Sequence, residues 1–211
     1  MGINDKKYMN IVRHYESCLK EHGDNHLGVG WPSEEDNKRR YEVMLDVTAK
    51  DTSKKIELLD FGCGTGRLYE HIQTKKMRSI IYSGLDISKN YTDIARKKYP
   101  DLKFYNLDVL SEGRRLLEFD YVVMNGVFTQ KRDLAFNEMF EYFKQTLSAV
   151  FPKTRKAIAF NVMSKEVDWE NEGNFYLSFD QLAGFLSESI SKKFIFRHDY
   201  GLYEYTAYVY K

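Results

Sequence analysis

A carboxylate and three glycines occupy every second position between Asp60 and Gly66, where the chain reads Asp-x-Gly-x-Gly-x-Gly. Glycines such as Gly62 and Gly64 let the backbone turn sharply and approach a ligand closely, and the first turn of a helix offers unpaired N–H groups. A dinucleotide-binding turn needs glycine in place of Arg67, and a phosphate-binding loop needs a Lys-Ser or Lys-Thr pair that is absent here. The spacing therefore predicts a ligand-binding turn of another kind.

Polar residues also end the next three apolar segments. Asp86 lies 20 residues after Gly66, Asp108 ends the following segment, and Asn125 with Gly126 ends the one after that. A carboxylate at the position of Asp86 can accept hydrogen bonds from both hydroxyls of a ribose. Carboxylates at strand ends also commonly cap the next helix, and the sequence leaves this alternative open for Asp86 and Asp108.

Short apolar segments rich in β-branched and aromatic residues alternate with helix-like stretches along most of the chain. The strand-like segments are Ile56–Gly62, Ser79–Ile87, Lys103–Val109, Phe119–Asn125, Lys156–Met163, Lys193–Tyr200 and Glu204–Lys211. The helix-like stretches between them are Arg67–Lys76, Lys89–Tyr99, Asp133–Phe151 and Ser178–Ile190. This alternation predicts an α/β fold, a three-layer sandwich around a seven-stranded, mostly parallel sheet. Because only Gly201–Tyr203 separates the last two segments, we expect the last strand to be antiparallel in a C-terminal hairpin.

Over about residues 56–211 these motifs resemble those of the class I S-adenosylmethionine-dependent methyltransferases. The resemblance implies a Rossmann-like sheet of seven strands with the last strand inserted between strands five and six. It implies S-adenosylmethionine as the cofactor and S-adenosylhomocysteine as the product. The cofactor-binding residues that it implies are Asp60, Gly62, Gly64, Gly66, Asp86, Ile87, Asp108, Val109, Asn125 and Gly126.

Within that resemblance, Asp86 would hold the ribose and Asp108 would accept the adenine amino group. The methionine moiety and methyl transfer would lie at Asn125–Gly126. A further cofactor contact is expected from Arg40, which could reach the carboxylate of the cofactor, although an exposed ion pair is the ordinary role of such a residue.

The methyl acceptor is predicted partly by exclusion. Enzymes that methylate base amines or glutamine amides resemble one another in an Asp/Asn-Pro-Pro-aromatic motif, but here Asn125–Phe128 reads Asn-Gly-Val-Phe. Neither Cys18 nor Cys63 follows a proline, as a cytosine-C5 nucleophile would. The stretches Arg197–Tyr205 and His22–Trp31 together also resemble a small branch of the family associated with bacterial biosynthetic clusters. We therefore expect O-methylation of a small polar metabolite or of a carbohydrate- or phosphoryl-type precursor, which belongs to the small-molecule branch.

Two alternatives stay open. An RNA or protein methyltransferase would use the same cofactor site, with a basic groove or a peptide channel beside it. A non-catalytic subunit would keep S-adenosylmethionine only as a ligand.

Ligands of open α/β sheets bind beyond the carboxyl ends of the strands. Polar residues near those ends are therefore candidates for acceptor binding and catalysis. His198 and His22 are the candidates for a general base, because an imidazole titrates near pH 6.5. A locally bonded histidine on an edge strand is an equal alternative for His198. The candidates for substrate binding are Trp31, Asn161, Tyr200 and Tyr203.

The stretch His22–Pro32 joins two helix-like stretches, Ile3–Glu21 and Ser33–Lys50, and Ser33 is a plausible helix cap with Asp36 at the third position. We expect the stretch to form a lid on the acceptor side of the cofactor, with a simple linker as the alternative. The spacing His-x-Asp-x-His could place three metal ligands on one side of an extended strand, but its glycines disfavour that strand, and we expect no metal.

The composition of the chain indicates its number of domains, its classes of partner and its compartment. The 211 residues, 43% of them apolar, suit a single domain, with residues 1–50 as a helical lid and 56–211 as the sheet core. The 32 basic and 31 acidic residues nearly balance, which argues against nucleic-acid and membrane partners. Two cysteines, no apolar run of about 20 residues and no secretory signal indicate a cytoplasmic protein. The expected partner is a small-molecule acceptor, and the sequence does not indicate an oligomeric state.

Overall fold

The computed structural model describes residues 6–211 and contains one sheet with helices on both faces. Its strands are Ile56–Phe61 (β1), Ile80–Asp86 (β2), Lys103–Asn106 (β3), Phe119–Phe128 (β4), Thr154–Ser164 (β5), Tyr176–Leu177 (β6), Phe194–Arg197 (β7) and Glu204–Tyr210 (β8). Its α-helices are Met9–His22 (α1), Glu34–Leu45 (α2), Arg67–Thr74 (α3), Lys89–Lys98 (α4), Val109–Glu112 (α5), Phe136–Val150 (α6) and Phe179–Ser189 (α7). In this part of the chain no helix is long and apolar enough to cross a membrane.

The predicted fold class and hairpin are confirmed. The strand order is β3–β2–β1–β4–β5–β8–β7, with the short β6 beside β5. Strands β1 to β5 pair in parallel, and β8 pairs antiparallel with both β5 and β7. Thus the last strand lies between the fifth and the final edge strand, as the resemblance implied.

Several boundaries differ from the prediction. Strand β3 ends at Asn106 instead of Val109, because Asp108 caps α5 by accepting a hydrogen bond from the amide of Leu110. The two-residue β6 and the one-turn α5 were not predicted. The predicted first helix began at Ile3, but residues 3–5 lie outside the described residues, and α1 begins at Met9.

The core lies on both sides of the sheet, because successive side chains of a strand point to opposite faces. In β4, Val122 and Met124 face one cluster, which includes residues of α1, α6 and α7. Tyr121 and Val123 face the other, which includes residues of α2, α3 and α4. The three layers leave the carboxyl ends of β1, β2 and β4 bordered by the N-terminal segment.

That N-terminal segment enters α2 through the predicted cap. The side chain of Ser33 accepts a hydrogen bond of 3.1 Å from the amide of Asp36. Helix α1 ends before Gly23, whose φ of 73° reverses the chain direction. Residues 23–32 then form a loop between α1 and α2 that packs on the carboxyl edge of the sheet.

Candidate functional site

A cavity lies at the carboxyl ends of β1, β2 and β4, under α1 and the loop of residues 23–32. Nine of the predicted cofactor-binding residues line it: Asp60, Gly62, Gly64, Asp86, Ile87, Asp108, Val109, Asn125 and Gly126. Gly66 and Arg40 are not among the lining residues. Gly66, with a φ of 85°, precedes α3 and completes the turn instead.

The glycine turn has the conformation that its sequence requires. Gly62 and Gly64 have φ values of 76° and 54°, a region that disfavours other residues. A Cβ atom at Gly62 would lie 2.7 Å from a methyl carbon of Val127, so the turn and β4 approach each other too closely for any side chain there. The amide of Gly64 donates a 2.9 Å hydrogen bond to Asp86, which ties the turn to the end of β2.

Two buried carboxylates face the cavity without an ion-pair partner among residues 6–211. Asp86 accepts hydrogen bonds from the amides of Gly64 and Ser88, and burial raises its pKa to about 6. Asp60 accepts a 2.7 Å hydrogen bond from the hydroxyl of Tyr82, and burial raises its pKa to about 7. Such carboxylates suit a ligand that donates hydrogen bonds or carries positive charge.

Asp108 is already well supplied with donors. Its Oδ2 accepts hydrogen bonds from Lys6 at 2.8 Å, Tyr8 at 2.9 Å and Ser111 at 2.9 Å, while Oδ1 caps α5. Burial raises the pKa of Asp108, but these hydrogen bonds outweigh it and hold the pKa below its usual value. The capping alternative is therefore realised, and a contact with adenine remains a proposal.

A buried polar chain supports the end of β4. The Oδ1 atom of Asn161 accepts a 2.8 Å hydrogen bond from the amide of Gly126, and its Nδ2 donates one of 2.7 Å to Glu204. Glu204 in turn pairs with Nε of Arg40 at 2.8 Å. The guanidinium of Arg40 lies 3.9 Å from the ring centroid of Trp31, which lines the cavity.

The N-terminal residues 6–32, which we name the strap, are held against the site at several points. The hydroxyl oxygen of Tyr91 lies 2.7 Å from the carbonyl oxygens of both Tyr15 and Gly28, which share its one donated proton. The carboxylate of Asp24 accepts a hydrogen bond from Thr65 of the glycine turn and pairs with Lys98 at 2.7 Å. The strap therefore covers the cavity from the side opposite the strands.

Several predicted acceptor-site residues lie elsewhere. His22 ends α1, with Nε2 3.8 Å from a carboxylate oxygen of Glu21, and it does not line the cavity. His198 is exposed at the end of the edge strand β7, its ring centroid 5.5 Å from that of Phe179. Neither histidine lines the cavity, and the ring contact of His198 with Phe179 agrees with a local role on the edge strand.

The two hairpin tyrosines are also outside the cavity. Tyr203 is 73% exposed, and the hydroxyl of Tyr200 is hydrogen-bonded to Thr206 at 3.0 Å. Of the predicted substrate-binding residues, Trp31 alone lines the cavity, and Asn161 contacts it through Gly126. Within residues 6–211 no group of three histidine, cysteine or acidic side chains is arranged to hold a metal.

Comparison with known proteins identifies the domain that carries this site. Residues 59–153, which span the glycine turn and the ends of β2, β3 and β4, match the model of a family described as a methyltransferase domain. This match assigns a methyltransferase domain to that part of the chain. The enzyme uses S-adenosylmethionine as its cofactor.

Similar proteins agree with this assignment. A protein of Mycobacterium tuberculosis named as a methyltransferase is 27% identical over 154 residues, which are 72% of this chain and 91% of that protein. A malonyl-[acyl-carrier protein] O-methyltransferase of Acetivibrio thermocellus is 27% identical over 99 residues, 46% of this chain but only 34% of the relative. The solved structure of magnesium protoporphyrin IX methyltransferase from Synechocystis PCC 6803 has the same fold, with a TM-score of 0.69, 12% identity and full coverage of both chains.

The residues of this methyltransferase fit S-adenosylmethionine, which supplies a methyl group on a positively charged sulfur. Asp86 and Asp60 are buried carboxylates that still have free lone pairs for hydroxyl or ammonium donors. Two buried polar atoms beside the cavity have no hydrogen-bond partner among residues 6–211: Nε of Arg67 and Oδ1 of Asn37. Arg67 lines the cavity, and Asn37 donates a 3.0 Å hydrogen bond to Tyr41, which also lines it.

A donor and an acceptor left unpartnered in this way fit the two ends of an amino acid. Nε of Arg67 can donate to a carboxylate, and Oδ1 of Asn37 can accept from an ammonium group. Sequence reasoning used Arg67 only to exclude a dinucleotide fold and did not consider Asn37. The one available signal was that Arg67 directly follows the glycine turn; nothing in the sequence marked Asn37.

Proposed function

We propose that this methyltransferase transfers the methyl group to an oxygen atom of a small polar metabolite or of a carbohydrate- or phosphoryl-type precursor. The observation that carries the proposal is the strap. Tyr91, Thr65 and Lys98 hold it over the cavity, and Trp31 closes the space beside Gly126. An acceptor that reaches the end of β4 under this cover has to be small.

The choice of oxygen rests on the ionisable groups around the cavity. The lining residues with a pKa near neutral are Asp60 and Asp86, which we assign to the cofactor; among the described lining residues there is no histidine and no lysine. Tyr15 lines the cavity, but burial raises its pKa to about 12, so its hydroxyl keeps its proton near neutral pH and cannot accept another. A carboxylate or phosphoryl oxygen is already ionised and needs no base. The O-methyltransferase named above, which acts on a malonyl group, supports the same chemistry.

Two other functions remain as outcomes of the test. A net charge of +1 supports neither an RNA substrate nor an acidic protein substrate. A non-catalytic subunit would keep the cofactor residues around Asp86 without an acceptor site.

The proposal can be tested with S-adenosylmethionine labelled in its methyl group. The purified enzyme is incubated with a cell extract that has been separated into dialysable metabolites, RNA and protein. We expect label in the dialysable fraction, and we expect mass spectrometry of the labelled product to place the methyl group on oxygen. Asp86→Ala serves as the inactive control and should weaken cofactor binding by more than about tenfold, because a buried charged acceptor is lost.

Label in the RNA or protein fraction would replace the proposal with that substrate class. Absence of label in every fraction, with normal binding of S-adenosylhomocysteine, would favour the non-catalytic subunit.

A further inference from the structure

Arg40 is a largely buried cation whose hydrogen-bonding capacity is only partly used. Its side chain is 11% exposed, and its Nε pairs with Glu204 at 2.8 Å. Its Nη1 is buried and has no hydrogen-bond partner among residues 6–211. A buried donor on a charged group that has no acceptor costs free energy. A ligand that accepts a hydrogen bond from Nη1 would recover that free energy on binding.

The position of Arg40 is fixed by two independent contacts that lead to the same place. Through Glu204 and Asn161 it connects to the amide of Gly126. Through its face it stacks on Trp31, whose ring lies so close to Gly126 that a Cβ atom there would be 2.6 Å from Trp31. Both contacts place the guanidinium next to Trp31 and the end of β4, which line the cavity, while Arg40 itself is not a lining residue.

The chemistry of Arg40 selects the ligand class. A guanidinium is planar and always charged, and its donors match the oxygens of a carboxylate or a phosphate. Glu204 is 1% exposed and is the one acid paired with Arg40 among the described residues, and its second oxygen is used by Asn161. Stacking on Trp31 holds the guanidinium plane in place, which lowers the entropy cost of binding an anion.

We propose that Nη1 of Arg40 binds an anionic oxygen, of a carboxylate or a phosphate, carried by the methyl acceptor. This inference rests on the proposed function and narrows it to an acidic small molecule. It also gives Arg40 a role different from the predicted one, because the guanidinium is directed to the acceptor and Arg67 is left for the carboxylate of the cofactor.

The test uses the fluorescence of Trp31. The chain has two tryptophans, and Trp169 is 72% exposed, so Trp169→Phe leaves Trp31 as the single reporter. The protein, saturated with S-adenosylhomocysteine, is titrated with malonate and separately with inorganic phosphate, against sodium chloride at matched ionic strength. We expect a saturable change with at least one of the two anions, and the anion that binds more tightly identifies the acceptor's group.

Two variants and a matched control test whether Arg40 itself binds the anion. Arg40→Lys keeps a cation for Glu204 but lacks Nη1, and it should weaken anion binding by about tenfold or more. Glu204→Gln removes the competing carboxylate and should tighten anion binding. Arg39→Lys changes the neighbouring arginine, which donates to the carbonyl of Tyr200 at 3.2 Å, and should leave anion binding unchanged.

No saturable response to either anion, or an equal response in the protein with Arg40→Lys, would overturn the inference. Calorimetry with S-adenosylhomocysteine shows whether each variant is folded, and Glu204→Gln decides the question if the lysine variant is not. An enzyme that methylates a neutral acceptor without any anion response would refute this inference and leave the proposed function standing.

Discussion

The role of Arg67 at the cofactor can be tested by removing either the side chain or the part of the ligand that it is expected to contact. We expect Arg67→Gln to weaken binding of S-adenosylhomocysteine, because the buried Nε has no other partner among residues 6–211. A hydrogen bond that involves a charged group contributes about 1.5–3 kcal/mol, which corresponds to roughly a tenfold to hundredfold change in dissociation constant. Calorimetry can measure a change in dissociation constant of this size.

The matched ligand is 5′-methylthioadenosine, which keeps the nucleoside and the sulfur but lacks the amino acid. Binding of this ligand should be almost unaffected by Arg67→Gln, because the group that Arg67 would contact is missing. The exposed Arg78, beyond the end of α3, provides the control substitution Arg78→Gln, which should affect neither ligand.

The comparison of the two ligands separates a direct contact from a general disturbance of the cavity. An equal loss of affinity for both ligands would mean that Arg67 acts on the shape of the glycine turn. No loss for either ligand would refute the assignment of Arg67 to the amino-acid end of the cofactor.

Further predictions follow from single groups around the site. Because burial raises the pKa of Asp60 to about 7 and of Asp86 to about 6, the ligand-free protein binds these protons more tightly when folded, and its stability should fall as pH rises from 5 to 8. Asp60→Asn should reduce that fall by up to about 3 kcal/mol in urea unfolding, and an unchanged pH profile would contradict the raised pKa. Gly126→Ala should destabilise the protein by about 1–3 kcal/mol, because φ is 77° and the added Cβ would meet Trp31, and Trp31→Ala should recover part of this loss in a double-mutant cycle. Asp24→Asn should speed release of S-adenosylhomocysteine by roughly two- to fivefold in stopped-flow measurements, and an unchanged rate would show that this contact does not hold the strap closed.

Much of the sheet could be predicted because its signals are local. Each of the seven predicted strand segments overlaps an observed strand, and the three-residue connection before β8 required the antiparallel hairpin. The prediction failed where local signals are weak, at the two-residue β6 and at α5, where the cap made by Asp108 ended β3 early.

The cofactor side of the site was also accessible from sequence. Parallel strands bring their carboxyl ends to one edge, so Asp60, Asp86 and Asn125 had to lie near one another once the strand order was known. Their grouping around one cavity follows from strand periodicity and spacing, without any knowledge of side-chain contacts.

The acceptor side depended on contacts between residues far apart in sequence. Two histidines were nominated by chemical type, and both lie outside the cavity, because the rotation of α1 and the position of the edge strand β7 decide where their side chains point. The pairing of Arg40 with Glu204 joins residues 164 positions apart, and no local pattern encodes it. The sequence by itself therefore determined the sheet and the glycine turn, because both follow from local patterns: the periodicity of the strands and the spacing of the glycines. Only the tertiary structure decided which polar atoms remain buried and unpartnered, because that depends on the packing of the strap, α2 and the hairpin around the end of β4.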